Sequence, residues 1–160
     1  MPATLTPTQV DPRGPRFGAA VTTVVLAAIL VLGPHLGLPL LIIQTFAVGA
    51  GSLLGLRYQP YGWAFRRFIR PRLAPPAELE DERPPRFAQT VGLLFAAVAL
   101  IGAFAGAPAL FSVAAGFALI AATLNAVFNF CLGCELYLLG RRLLRKPSIE
   151  VTQPVGGAAR

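Results

Sequence analysis

Two stretches of this chain carry no charge at all, and their length limits what it can fold into. From Phe17 to Leu56 no side chain is charged at pH 7 with His35 neutral, and from Phe87 to Cys134 there is again none. A helix needs about 20 apolar residues to cross a bilayer core of about 30 Å, so each run is long enough for two crossings. Apolar types make up 55% of the residues and charged types 13%, against about 25% charged in a soluble domain. A water-soluble globule is thereby disfavoured, and the 160 residues make one membrane domain by length.

Each run breaks near its middle, at Gly33-Pro34-His35-Leu36-Gly37 and at Gly106-Ala107-Pro108. Proline after glycine ends a helix and opens a turn. The expected fold is an all-α membrane protein with four transmembrane helices arranged as two tandem helical hairpins. The spans fall near residues 17–32, 38–56, 87–105 and 109–130. Residues 11–146 form the membrane domain, with an interfacial and cytoplasmic connection at 57–86, and 1–10 and 147–160 read as flexible tails. A cleaved signal peptide is the competing reading of the first span. No small-x-small site follows it, and the next run needs a partner span to return across the bilayer.

All fourteen lysines and arginines fall in three places. Arg13 and Arg16 precede the first span, seven arginines from Arg57 to Arg86 lie between the hairpins, and Arg141, Arg142, Arg145, Lys146 and Arg160 follow the last span. The hairpin tips carry none. With four spans these places share one face, and the positive-inside rule makes it cytoplasmic. The expectation is a multi-pass protein of the cell (inner or plasma) membrane with both termini in the cytoplasm. The net charge of +7 then meets anionic lipid headgroups, at about 1 kcal/mol per basic residue near the surface, and calls for no nucleic acid. RYQPYGWAFRRFIRPR, residues 57–72, mixes arginine with Tyr58, Tyr61, Trp63, Phe65 and Phe68, the composition of a membrane-lying segment. LAPPAELEDERPP, residues 73–85, reads as a solvated connection whose acids fold back onto those arginines. His35, the single histidine, reads as a wetted tip residue.

The chain also repeats itself. DPRGPRFGAAV at 11–21 and DERPPRFAQTV at 81–91 share Asp11/Asp81, Arg13/Arg83, Pro15/Pro85, Arg16/Arg86, Phe17/Phe87 and Val21/Val91 at an offset of 70. The exits RRFIRP (66–71) and RRLLRKP (141–147) resemble each other as well. Both halves enter from one side, as in a parallel repeat about an axis along the membrane normal. Proline suits a first helical turn, the aspartate is favoured at a helix N-terminus, and Arg16 and Arg86 can snorkel to the headgroups. Aligning the Arg-Arg exits, an offset of 75, sets Leu56 and Gln59 opposite Cys131 and Cys134. Only the second half carries thiols.

Those two cysteines, in FNFCLGCELYLLGRR (128–142), are the candidate catalytic residues. Two thiols close together at a cytosolic face are no disulfide framework. Four readings compete: inert packing as small apolar residues, a redox dithiol at a helix N-terminus that lowers a thiol pKa, a metal clip lacking the remaining zinc ligands, and lipidation or a static bond. Asn129 supports the redox reading as a cap for a new helix beginning at Cys131, with Asn125 one turn earlier and Gly133 relieving crowding. Glu135 supports it as a proton carrier, or simply marks the interface. A helix unbroken through 125–139 would instead strain any bond between the thiols. No cofactor or metal site is expected.

A four-span chain with a late CxxC is similar in outline to quinone-linked disulfide-generating enzymes of the vitamin K epoxide reductase type. Those work on the outer face with a second cysteine pair, and neither feature is present here. VDPRGPRFGAA (10–20), YQPYGWAFRRFIRPR (58–72), EDERPPRFAQTVG (80–92) and NFCLGCELY (129–137) more closely resemble a family of bacterial membrane proteins known only as a domain of unknown function. That resemblance implies a multi-span membrane protein with a Cys-x-Gly-Cys signature at Cys131, Gly133 and Cys134. It also implies thioredoxin-like or sulfurtransferase partners. Two function classes follow: thiol redox or sulfur-transfer exchange at the cytoplasmic face, with Cys131 attacking and Cys134 resolving, or a non-catalytic scaffold, assembly factor or small transporter subunit whose cysteines only pack. Gly49, Ala50, Gly51, Ser52 and Gly116 would suit close helix contacts and a homo-oligomer in either class.

Overall fold

Long apolar helices account for most of the computed structural model, which describes residues 9–144; most of the expected tails lie outside them. Helix α1 runs Arg13–Leu36, α4 Arg83–Phe104 and α5 Pro108–Phe128. At 24, 22 and 21 residues, these three are long and apolar enough to cross a membrane. Helix α2 (Leu38–Gly49) continues into a π-helical turn at Ala50–Leu54, giving a shorter apolar helix over Leu38–Leu54. A short α3 (Pro60–Ala64) runs on into a π turn at Phe65–Ile69, and α6 spans Leu132–Leu144. A two-residue ribbon pairs β1 (Gln9–Val10) with β2 (Glu80–Asp81), antiparallel. The fold is otherwise all-α.

The predicted breaks fall where the backbone leaves helical geometry. Gly33 sits at φ 74 inside α1 and Gly106 at φ 65 between α4 and α5, a region that side chains with a Cβ rarely adopt. Around the bundle α1 packs on α2, α2 on α4, α4 on α5, and α5 returns to α1. The shared core is a narrow seam of Leu26, Ile29, Leu41, Ala99, Phe111, Ala114 and Ala115, whose small members let the helix backbones approach. Large side chains point outward instead: Val31 is 87% exposed, Phe46 76% and Phe104 71%. Lipid, not water, suits such a surface.

One buried polar chain crosses the seam. Gln44, 1% exposed, donates from Nε2 to Thr22 Oγ1 at 3.2 Å and accepts at Oε1 from the Tyr61 hydroxyl at 2.7 Å. Tyr61 therefore leaves the interfacial belt expected of it and anchors α3 to α2. Trp63 and Phe68 remain exposed, edge to face at 5.9 Å. The acids at 78–82 do not pair with the arginines of 57–72. The only ion pair among the described residues is Arg13–Asp11, while Glu82 accepts the Leu56 N–H at 2.8 Å.

The sequence repeat reappears as matched bonds. Asp11 Oδ1 accepts the Arg13 N–H at 3.0 Å, and Asp81 Oδ1 accepts the Arg83 N–H at 2.9 Å. Arg16 donates to the Ala126 and Val127 carbonyls at 3.1 and 3.5 Å, and Arg86 donates to the Ser52 and Leu53 carbonyls, both at 2.9 Å. Each arginine thus covers carbonyls near the end of an apolar helix in the other half, where backbone acceptors lack partners and a cation is favoured. Val10 and Glu80, themselves 70 apart, pair in the ribbon, so the two halves meet there.

The exit helices match at a different offset from the one their Arg-Arg pairs indicate. Phe17 meets Phe65 at 5.9 Å, and Phe87 meets Tyr137 at 5.8 Å. The Trp63 N–H donates to the Gln59 carbonyl at 2.9 Å, and the Glu135 N–H to the Cys131 carbonyl at 3.0 Å. Both comparisons give an offset of 72, which sets Gln59 and Gly62, not Leu56 and Gln59, opposite Cys131 and Cys134. The arginine pairs do not fix the register, whereas the ring contacts of Phe65 and Tyr137 do.

Replacing Arg16 or Arg86 with glutamine should lower the unfolding free energy by about 1 kcal/mol each. The Arg67→Gln change should be near neutral, because that exposed guanidinium lies only over the Phe68 ring, at 5.9 Å. Thermal unfolding of the detergent-solubilised variants checks this, and equal shifts for all three would contradict the clasp.

Candidate functional site

The candidate site begins with the way α5 ends. Asn129 adopts left-handed backbone, φ 56 and ψ 28, a conformation asparagine tolerates better than most residues. The Phe130 N–H then reaches back to the Leu124 carbonyl at 3.3 Å, closing off the helix. Asn129 therefore terminates α5 and is not the cap of α6. Helix α6 starts at Leu132, and Cys131 itself occupies the capping position. Its carbonyl accepts the Glu135 N–H at 3.0 Å, and its Sγ accepts the Cys134 N–H at 3.3 Å. That is the bond a capping side chain makes to the third residue of a helix, here with sulfur in place of oxygen. The unbroken helix through 125–139 is ruled out.

Both thiols are free and half-buried. The Cys134 side chain donates to Cys131, and this, with the N–H groups of Cys134 and Gly133, draws the Cys131 thiol down to about 7; burial and the Glu135 carboxylate oppose the shift. The same side-chain bond, burial, and the charges of Cys131, Glu80 and Glu135 push Cys134 upward. One sulfur is thus favoured as thiolate while its neighbour keeps its proton, the division of labour that nucleophilic attack and later resolution require. Glu135 is exposed in the first turn of α6 and weakens the thiolate. Glu80 was not singled out in the sequence, because the ribbon pairing brings it towards Cys134.

Gly133 explains the middle of the motif. It is buried, and a Cβ there would lie 2.6 Å from Ala88 Cα and 2.7 Å from Ala88 Cβ. Only glycine lets the first turn of α6 lie against α4, and the Phe87–Tyr137 ring contact holds the same interface one turn on. Arg16 secures the last turn of α5, just before the break. Asn125 stays within α5, half-buried, and His35 is exposed at the tip between α1 and α2. Among the described residues no group of three or more His, Cys, Asp and Glu side chains is placed to hold a metal ion. A thiol pair alone leaves a tetrahedral zinc site incomplete.

The sequence profile of the family described as Domain of unknown function (DUF4395) matches residues 10–142, and the chain belongs to that family. No curated protein and no solved structure matches it.

Gly133→Ala should destabilise the protein by about 1–3 kcal/mol, the range for overpacking a close contact. Gly140→Ala, on the same helix with open space around it, should be neutral or stabilising by up to about 1 kcal/mol. Denaturant unfolding in detergent distinguishes the two, and a neutral Gly133→Ala would contradict the tight seat of α6.

Proposed function

We propose that this protein is a four-span protein of the cell membrane that exchanges thiols with a soluble partner at the cytoplasmic face. The apolar helix over Leu38–Leu54 is the fourth span, made shorter by its π turn. The two halves are tandem hairpins, and the matched arginine clasps support their origin by duplication. Both termini lie in the cytoplasm, on the argument of arginine placement. The amphipathic α6, with Leu136, Leu139 and Leu143 exposed beside Arg141 and Arg142, lies in the interface beneath the headgroups.

The observation that carries the chemistry is the sulfur cap: Cys131 Sγ accepting the Cys134 N–H at the start of α6. The Cys131 thiolate attacks a disulfide, or the outer sulfur of a persulfide, on the partner. With a disulfide, a mixed disulfide forms and one partner sulfur leaves as thiolate. Cys134 then passes its proton to the partner thiolate released in the first step and attacks Cys131 Sγ. The second partner sulfur leaves, Cys131 and Cys134 are joined, and the partner holds two thiols. Reversal by a second dithiol restores the pair, so the partner class is thioredoxin-like or sulfur-carrying. With a persulfide, the outer sulfur passes to Cys131 and the partner leaves as thiolate.

The Cys134→Ser variant should accumulate a mixed disulfide with a soluble protein, seen as a reducible adduct on a non-reducing gel, and the Cys131→Ser/Cys134→Ser double variant should not. Adduct patterns identical in the two variants would leave the cysteines as packing residues in a membrane scaffold. In sealed cells a membrane-impermeant maleimide should spare Cys131, and in inverted vesicles it should label it. The opposite pattern would invert the topology.

A further inference from the structure

A second site lies in the N-terminal half, at the counterpart of the thiol position. A cavity of about 220 Å³ opens between the start of α1, the 56–70 segment and the ribbon. Arg57, Arg66 and Arg70 line it together with Asp11 and Glu82. Asp11 is paired with Arg13, whereas Glu82 keeps its charge while accepting the Leu56 N–H. Three guanidinium groups in the lining thus face one carboxylate without an ion pair, and the cavity keeps an excess of positive charge. Burial, followed by repulsion from Arg57 and from Arg70, holds the Arg66 guanidinium below its ordinary pKa, and the Glu82 carboxylate opposes the shift.

The second observation is independent of that charge. Gln59, 2% exposed, also lines the cavity, and its Nε2 is buried with no hydrogen-bond partner. A buried donor left unpaired is costly and uncommon in folded proteins. Crowded guanidiniums beside an orphaned amide donor call for an anion with several acceptor oxygens. The volume is below the roughly 300–1,000 Å³ of drug-sized sites, so the anion is small. We propose that this cavity binds a phosphate group, held by Arg57, Arg66 and Arg70 and by the Gln59 carboxamide. The group belongs either to an anionic lipid headgroup or to free phosphate. The same capping position would then carry a thiol in one half and an anion-binding amide in the other.

The test is thermal unfolding of the full chain in phosphatidylcholine nanodiscs titrated with inorganic phosphate, and in nanodiscs doped with increasing phosphatidylglycerol. A saturable rise in Tm in the phosphate arm identifies free phosphate, and a rise confined to the phosphatidylglycerol arm identifies a lipid headgroup. Arg70→Gln, whose side chain makes no hydrogen bond among the described residues, should weaken the response roughly ten-fold. Arg142→Gln removes the same charge outside the cavity and should change it by less than about two-fold. Gln59→Leu should unfold at or above the wild-type temperature without ligand, yet lose the response, which separates lost binding from lost folding. Cys131→Ser should keep the full response, so failure here is distinct from failure of the thiol chemistry. No rise in either arm, or equal weakening in Arg142→Gln, overturns the proposal.

Discussion

A helix cannot end without stranding backbone groups, and the way those groups are satisfied around residues 126–134 shapes the rest of this protein. Carbonyls left at the end of α5 are covered by Arg16 from the other half, and the N–H groups at the start of α6 fall to a sulfur. Each half therefore depends on the other for its helix ends, with the ribbon at their meeting point. Water would satisfy these groups cheaply in a soluble protein. At the edge of a bilayer the chain must supply the partners itself, which is why the same arginine recurs in both halves.

Much of the architecture was legible in the residues because membrane insertion constrains composition so strongly. The charge-free runs and the glycine-proline breaks marked the helices, and the Pro-Arg-Phe repeat marked matched entries. Legibility failed where long-range packing decides. Tyr61 reads as an interfacial aromatic, yet its hydroxyl finds buried Gln44. The register of the exit helices followed ring contacts rather than the conspicuous Arg-Arg pairs, and four linking residues at 55–58 against two at 129–130 hid that register in the sequence.

The candidate site divides in the same way. Two cysteines beside a helix start were visible, and so was the possibility that backbone N–H groups sit under the first thiol. The identity of the cap was misplaced by two residues, because asparagine favours both capping and left-handed backbone. Which role Asn129 takes depends on where α5 stops. Glu80 was invisible, since its approach to Cys134 needs the ribbon. Gly133 was read as relieving crowding between the cysteines, and the close neighbour is Ala88, so that it seats α6 on α4.

The account stands on the Cys134 thiol, together with the N–H groups at the start of α6, drawing the Cys131 thiol down to about 7. The most direct measurement is the ultraviolet absorbance of the thiolate, followed against pH for the wild-type protein and for Cys131→Ser in detergent. The account predicts an inflection near 7 in the wild type that is absent from Cys131→Ser, with the thiolate fraction rising with pH and levelling above the inflection. A single rise near the ordinary thiol value of about 8.5, unchanged by the substitution, would contradict it.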